Sequence, residues 1–128
     1  MTLTWTRTAA VFGLLGVGLG AFGAHGLESV ASEEQLEWWG TATLYLMLHV
    51  PALLVLDHLP SRRGLCLAGR AFLVGVLVFS GTLYAMALGG PRWLGAVTPL
   101  GGTALMVGWG ALIYASSART ADREQSSA

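Results

Sequence analysis

The sequence predicts an all-α protein, a four-helix antiparallel transmembrane bundle with both termini in the cytoplasm. Three observations support this prediction: four long uncharged apolar runs, short segments between them, and arginines concentrated on one side. The runs contain no Asp, Glu, Lys or Arg and cover residues 8–27, 38–56, 71–91 and 93–118. A helix needs about 20 apolar residues to cross the hydrocarbon core of a bilayer, so each run is long enough to span it.

The composition excludes several classes of protein. Charged residues make up 11% of the 128 residues, whereas a typical soluble domain has about 25%. A soluble chain of this length could not bury 54% hydrophobic residues. The formal net charge is zero, which argues against a nucleic-acid partner, and the one cysteine, Cys66, excludes an internal disulfide.

The distribution of arginine predicts the orientation. All seven basic residues are arginines, and Arg92 is alone on its side of the predicted membrane. The six on the other side are Arg7, Arg62, Arg63, Arg70, Arg119 and Arg123. Loops rich in arginine and lysine remain in the cytoplasm. We therefore expect a multi-pass protein of the cell inner (plasma) membrane, with both termini and the middle loop in the cytoplasm.

The first two spans are predicted at residues 8–27 and 37–57. Gly16, Gly20 and Ala24 recur every four residues in span one, a pattern that lets two helices approach closely. Packing within the monomer explains it, and a homo-oligomer contact is the alternative. We expect this span to be retained rather than cleaved as a signal peptide. Ser32 and Gln35 have the spacing of a capping box that starts the second helix.

The last two spans are predicted at residues 66–90 and 98–115. Gly81, Ala85 and Gly89 form a second ladder of small residues. Thr98 followed by Pro99 is typical of an N-cap and the first residue of a helix. Residues 1–115 would thus form one transmembrane domain, and the polar residues 116–128 a disordered cytoplasmic tail.

Polar residues inside the spans are the candidate site, because lipid disfavours them unless they face the bundle and pair. The set comprises His25, Thr41, Tyr45, His49, Ser80 and Tyr84. The depth of each residue along its helix predicts a cluster of four residues of this set in the outer half of the membrane. The other two, His49 and Ser80, would form a deeper pair. Trp109 falls near mid-membrane, where it does not fit an interfacial aromatic belt.

The cluster has a structural and a functional interpretation. Neutral histidines that are hydrogen-bonded to neighbours are a structural interpretation, and a ligand or proton site is the functional alternative. His25 and His49 differ by roughly 12–15 Å in depth, too much for two axial ligands of one haem. The spans offer no carboxylate or second cysteine for a metal, and no third residue would orient a Ser80–His49 pair. We therefore predict no catalytic residue, no metal and no cofactor.

Four motifs together resemble the YgdD-like family, also known as the transmembrane protein 256 family and as domain of unknown function 423. They lie at residues 18–25, 41–49, 79–84 and 98–109, one in each span. The resemblance covers roughly residues 10–112 and implies a small four-helix inner-membrane protein, without an activity or catalytic residues to transfer. Leu46 stands where the family often has Gln, so any polar role of that Gln is absent from this chain.

These observations predict a non-enzymatic accessory or structural membrane component whose partners are the lipid bilayer and a second copy or another membrane protein. The alternative is binding or transport of a small molecule or lipid at the intramembrane polar cluster. A closed cluster with every polar group paired would favour the structural role. A cavity open to lipid would favour a ligand.

Overall fold

The computed structural model describes residues 4–59 and 64–127, with side chains up to residue 117. Within these residues the protein has four long helices: α1 (Trp5–Phe22), α2 (Glu33–Leu56), α3 (Leu65–Ala87) and α4 (Leu94–Ser127). A π-helical turn, Gly23–Leu27, extends α1. Each helix is long and apolar enough to cross a membrane. The prediction of an all-α fold with four spans is confirmed. Arg62 and Arg63, which contribute to the predicted orientation, lie outside the described residues.

Local sequence signals explain where α2 begins and α3 ends. Ser32 Oγ accepts from the backbone N–H of Gln35, and Gln35 Oε1 accepts from the N–H of Ser32, so the predicted capping box is confirmed. After α3 the chain turns at Gly89, whose φ of 90° favours glycine. The backbone N–H of Gly90 donates to Ala85 O at 2.8 Å and satisfies a carbonyl of the last helical turn.

The bounds of α4 differ from the prediction at both ends. The helix begins at Leu94, one turn before the predicted cap, because residues 91–96 form the first turn with i to i+3 hydrogen bonds. Thr98 lies inside the helix, and its hydroxyl bonds to Leu94 O at 3.1 Å instead of capping an end. The backbone is also helical from residue 116 to Ser127, where the sequence predicts a disordered tail. The Ala, Arg, Glu and Gln in this segment are good helix formers, and no Pro or Gly interrupts them.

The core lies along α3, which packs against α2 on one side and α4 on the other, while α1 packs mainly on α2. Phe72, Leu53 and Val76 are the largest apolar side chains that are fully buried. Consecutive helices run antiparallel, because residue numbers rise along each helix while those of its contacts fall along the next. The contacts that show this are Thr6–Asp57 and Leu19–Trp39, Trp39–Tyr84 and His49–Phe72, and Gly75–Leu105 and Phe79–Gly101. The molecule is thus a sequential bundle with α3 at its centre.

Close approach of α3 and α4 depends on glycine. A Cβ at Gly101 would lie 2.4 Å from the backbone nitrogen of Phe79, and one at Gly75 would lie 2.5 Å from the Leu105 side chain. The predicted ladder beginning at Gly81 does not make this contact, because a Cβ there would meet no atom within 4 Å. The close contact with Leu105 of α4 is made by Gly75, which is not part of that ladder.

A carboxylate from α2 caps the start of α1. The backbone N–H of Thr6 donates to Asp57 Oδ2 at 2.7 Å, and Asp57 directly follows the last residue of α2. This hydrogen bond holds the pKa of Asp57 below its ordinary value of 3.8. The negative charge also complements the positive end of the α1 dipole. The contact ties the N-terminus of α1 to the end of α2.

Candidate functional site

His49 is the most deeply placed titratable side chain of the predicted set. It is 4% exposed and lies on α2 facing α3 and α4. Its Nδ1 lies 2.7 Å from Tyr45 O, and Trp109 Nε1 donates to its Nε2 at 3.2 Å. The rings of Phe72 and Trp109 pack against the imidazole, with centroids 5.3 and 5.9 Å away. His49 therefore links α2 to α4 across α3.

The two hydrogen bonds assign distinct roles to the imidazole nitrogens. An indole N–H is a donor only, so Nε2 of His49 must accept from Trp109. The proton then lies on Nδ1, which donates to the Tyr45 carbonyl. Both ring nitrogens are occupied, so the imidazole cannot take a proton from another group without losing the bond to Trp109.

A second chain of contacts links α1, α2 and α3 nearer the Gly23–Leu27 end of the bundle. Trp39 Nε1 donates to Leu19 O at 2.7 Å. Thr43 Oγ1 donates to Trp39 O at 2.9 Å and lies 2.8 Å from the hydroxyl of Tyr84. Because Thr43 uses its proton on Trp39 O, the Tyr84 hydroxyl is the donor between the two. The Trp39 and Tyr84 rings meet edge to face with centroids 4.5 Å apart.

Two further hydrogen bonds join helices inside the bundle. Ser80 is 2% exposed, and its Oγ donates to Ala42 O at 2.8 Å. Thr82 and Thr98 bring their hydroxyl oxygens within 2.7 Å of each other between α3 and α4. Within the described residues, every buried side-chain nitrogen or oxygen has a hydrogen-bond partner.

The structure brings only part of the predicted cluster together. Tyr45 and His49 are neighbours on α2, but Ser80 bonds to α2 backbone and not to His49. His25 is exposed in the π-helical turn, and Thr41 is partly exposed beside the α2 core face. The hydroxyl of Tyr84 contacts Thr43, which is not part of the predicted cluster.

The rotation of α2 explains these differences. Its buried residues recur every three or four positions, with Ala52 beside Leu53, and define its inward face: Trp39, Ala42, Leu46, His49, Ala52, Leu53 and Leu56. Thr41, Tyr45 and His49 do share a stripe, as predicted, but only His49 also lies on the inward face. Tyr45 is 37% exposed and packs its ring on Phe79, with centroids 4.3 Å apart.

Three residues outside the predicted set are central to the observed contacts. Trp109 had a usable signal, since an indole near mid-membrane needs a hydrogen-bond partner and His49 lies at a matching depth. Trp39 stands near the start of span two, where an indole fits an interfacial aromatic belt, but it is 4% exposed and donates to α1. Thr43 had no signal that separates it from Thr41, because both lie in the same half of α2.

Two of the grooves in the described part of the chain lie between spanning helices near the predicted cluster. The larger, about 660 Å³, lies between α1 and α2. It is lined by Gly20, Gly23, Ala24, Glu28, Leu36, Trp39, Gly40, Thr43, Leu44 and Met47. We call it the α1–α2 groove.

The second groove, about 440 Å³, lies between α2 and α4, and we call it the α2–α4 groove. It is lined by Tyr45, His49, Phe79, Pro99, Gly102, Thr103, Leu105, Met106 and Trp109. Aromatic rings form much of its wall. Two residues of the predicted cluster, Tyr45 and His49, line it. The arrangement offers an apolar recess with a few hydroxyl groups and no charged side chain.

Known proteins of similar sequence place the chain in a family. The model of a protein family of unknown function, DUF423, matches residues 19–102. The UPF0382 membrane protein SERP0230 of Staphylococcus epidermidis is 40% identical over 109 residues, which cover 84% of this chain and 89% of that protein. The UPF0382 membrane protein YwdK of Bacillus subtilis is 40% identical over 111 residues, 84% of this chain and 90% of that protein.

The similarity also reaches a eukaryote. The UPF0382 membrane protein C1782.12c of Schizosaccharomyces pombe is 37% identical over 117 residues, covering 87% of this chain and 99% of that protein. No solved structure matches the chain. The matched region includes parts of all four spanning helices, and the matched proteins are called membrane proteins. The chain therefore belongs to the DUF423 family and is an integral membrane protein, as its resemblance to that family predicts.

Proposed function

We propose that the protein is a non-enzymatic accessory or structural component of the plasma membrane, the inner membrane of a bacterial cell. The observation that carries this proposal is that every buried side-chain nitrogen or oxygen in the described residues has a hydrogen-bond partner. In lipid, such contacts hold helices together, because the apolar drive between helices is weak there. Hydrogen bonds from polar side chains join neighbouring helices of this bundle.

The geometry of the one candidate nucleophile supports the same role. Ser80 directs its hydroxyl at Ala42 O, and both nitrogens of His49 are already bonded. A serine nucleophile needs a neighbouring base that is free to accept its proton. Ser80 is not hydrogen-bonded to His49, and His49 has no free nitrogen with which to accept its proton.

Orientation is part of the proposal. Arg7 and Arg70 belong to one end of the bundle, and Arg92 to the end that also carries Glu34, with which it forms an ion pair. The arginine-rich end would face the cytoplasm. Both termini would then be available to cytoplasmic partners.

Affinity capture from native membranes in a mild detergent tests the accessory role. We expect a membrane protein to copurify in near-stoichiometric amount, and to do so equally with Ser80→Ala, which removes the candidate nucleophile. An unrelated tagged four-span protein serves as the control for nonspecific capture. Recovery of the chain alone, or loss of the partner in folded Ser80→Ala, would contradict the proposal.

The α2–α4 groove supports a second candidate function, binding of a small apolar or aromatic molecule from the bilayer. Filling the groove with Thr103→Trp should exclude such a molecule, because the exposed Thr103 side chain lines it. Ile113→Trp is a matched control on α4 that is 65% exposed and lies outside the groove. Organic extracts of the purified proteins, compared by mass spectrometry, should contain the molecule in wild type and Ile113→Trp only. Identical extracts from all three would eliminate this candidate.

A further inference from the structure

The α1–α2 groove has the dimensions of one lipid chain. Along α2 its lining runs from Leu36 to Met47, which is about 16 Å of helix. One leaflet contributes about half of a hydrocarbon core that is about 30 Å thick. The groove therefore extends through about one leaflet, beginning at the end of the bundle that carries the loop between α1 and α2.

The groove remains open because small residues line both of its walls. A Cβ at Gly40 would meet no atom within 4 Å, and the Cβ of a residue at Gly20 would only touch Thr43 at 3.6 Å. Gly23, by contrast, packs under the Trp39 ring and closes the floor. Contacts between α1 and α2 therefore close the groove on the side facing the bundle, and the opposite side is open to the bilayer.

Charge occurs at one end of the groove only. Glu28 is the one charged residue among those lining it, and it is exposed at the loop end. The same end carries Glu33, Glu34 and Glu37. The arginine at this end, Arg92, is engaged by Glu34 and lies over the Trp38 ring. This mouth favours a cationic group over an anionic one.

We propose that the α1–α2 groove binds one acyl chain of a phospholipid whose primary-amine headgroup is held by the Glu28 carboxylate. A primary ammonium carries three N–H donors and can form charge-assisted hydrogen bonds with a carboxylate. The quaternary ammonium of phosphatidylcholine has no N–H and cannot form them. Phosphatidylserine also has a primary ammonium, but the glutamates at this mouth repel its extra carboxylate, so the occupant is of the phosphatidylethanolamine class. This lipid site is separate from the α2–α4 groove and does not depend on the accessory role.

Native mass spectrometry of the full chain, released from detergent micelles, tests the proposal. The micelles contain equimolar phosphatidylethanolamine and phosphatidylcholine with matched acyl chains. Wild type should retain one lipid and prefer phosphatidylethanolamine. Glu28→Gln should lower that preference by up to about fivefold, the upper end of what an exposed charge pair contributes, while still retaining a lipid.

Two filling variants and one control separate groove binding from general lipid adhesion. Gly40→Leu should remove the retained lipid, because its side chain occupies the open space, and the change favours helix. Leu44→Trp should narrow the same groove from its exposed edge and weaken retention independently. Gly18→Leu on α1 is the matched control, since a Cβ there also meets no atom within 4 Å and the residue lies outside the groove.

Circular dichroism and gel filtration verify that each variant is folded before lipid is counted. Equal retention by Gly40→Leu and Gly18→Leu, or equal binding of both lipids by wild type, would overturn the proposal. A dimer that Gly40→Leu abolishes would overturn it as well, because a second copy would then occupy the groove.

Discussion

The hydrogen bond from Trp109 Nε1 to His49 Nε2 joins α4 to α2 without help from a charged group. Trp109→Phe keeps an aromatic ring but leaves a buried nitrogen without its donor. We expect a loss of about 0.6 kcal/mol in the free energy of unfolding, the average measured for hydrogen bonds between membrane helices, and at most about 1.7 kcal/mol. Detergent unfolding in mixed micelles measures it. Trp93→Phe, at a residue that is 66% exposed, is the control, and an equal loss in both variants would contradict the assigned bond.

The two intramembrane histidines differ in burial and should differ in their effect on stability. His49→Ala removes a ring that is 4% exposed and leaves a cavity beside Phe72, so we expect a cost of about 2 kcal/mol or more. His25→Ala changes an exposed side chain and should cost less than about 0.5 kcal/mol. Thermal melts in detergent compare them. Similar melting temperatures for the two variants would refute the depth and burial assigned to His49.

Asp57 makes stability depend on pH at the start of α1. Its pKa is lowered in the folded state by the N–H of Thr6, so its stabilising effect is fully present above its unfolded pKa. The effect is lost as pH falls through the folded value, below 3.8. The carboxylate is exposed, so the effect is small. Wild type should lose more melting temperature between pH 7 and pH 3 than Asp57→Asn does, and parallel pH profiles would argue against the cap.

At the scale of the helices, the contact of α3 with α4 is set by backbone approach. Gly101→Ala would place a Cβ 2.4 Å from Phe79 N, and a main-chain atom cannot move aside as a side chain can. We expect destabilisation by about 1–3 kcal/mol. Gly81→Ala is the control on α3, with open space around its Cβ and a better helix former in place of glycine. Unfolding titrations in which Gly101→Ala matches wild type would show that the helices are not packed this closely.

The positions of the helices could be predicted from the sequence, whereas their rotation could not. Length and lack of charge over about 20 residues are strong signals, and the capping box at Ser32 and Gln35 marked the start of α2 correctly. In lipid, however, the outer face of a helix is as apolar as its core face. Nothing local therefore distinguishes Thr43 from Thr41, or Gly75 from Gly81. Those choices were decided by packing against neighbouring helices.

The same limit explains why only part of the candidate site could be predicted from the sequence. The depth of His49 and its need for a partner followed from the spacing along α2. The identity of that partner, Trp109, depends on α2 and α4 both contacting α3, which is a property of the tertiary arrangement. Leu46, where the resemblance suggested a Gln, is 5% exposed in the core, so no polar contact is expected from that position.

At the scale of the whole molecule, an even number of spans puts both termini on one side of the membrane. The distribution of arginine predicts that this side is the cytoplasm. Cysteine accessibility measures this arrangement directly. Ser29→Cys reports on the loop between α1 and α2, and Ser117→Cys on the C-terminal end of the bundle, each in a Cys66→Ala background. Both native serines are exposed, so the new thiols can be reached from water on their own side.

Labelling of spheroplasts with a membrane-impermeant maleimide tests this claim. The account predicts that Ser29→Cys is labelled in intact spheroplasts and that Ser117→Cys is labelled only after the membrane is permeabilised. Labelling of Ser117→Cys in intact spheroplasts, or of both thiols equally, would contradict a four-span bundle with cytoplasmic termini.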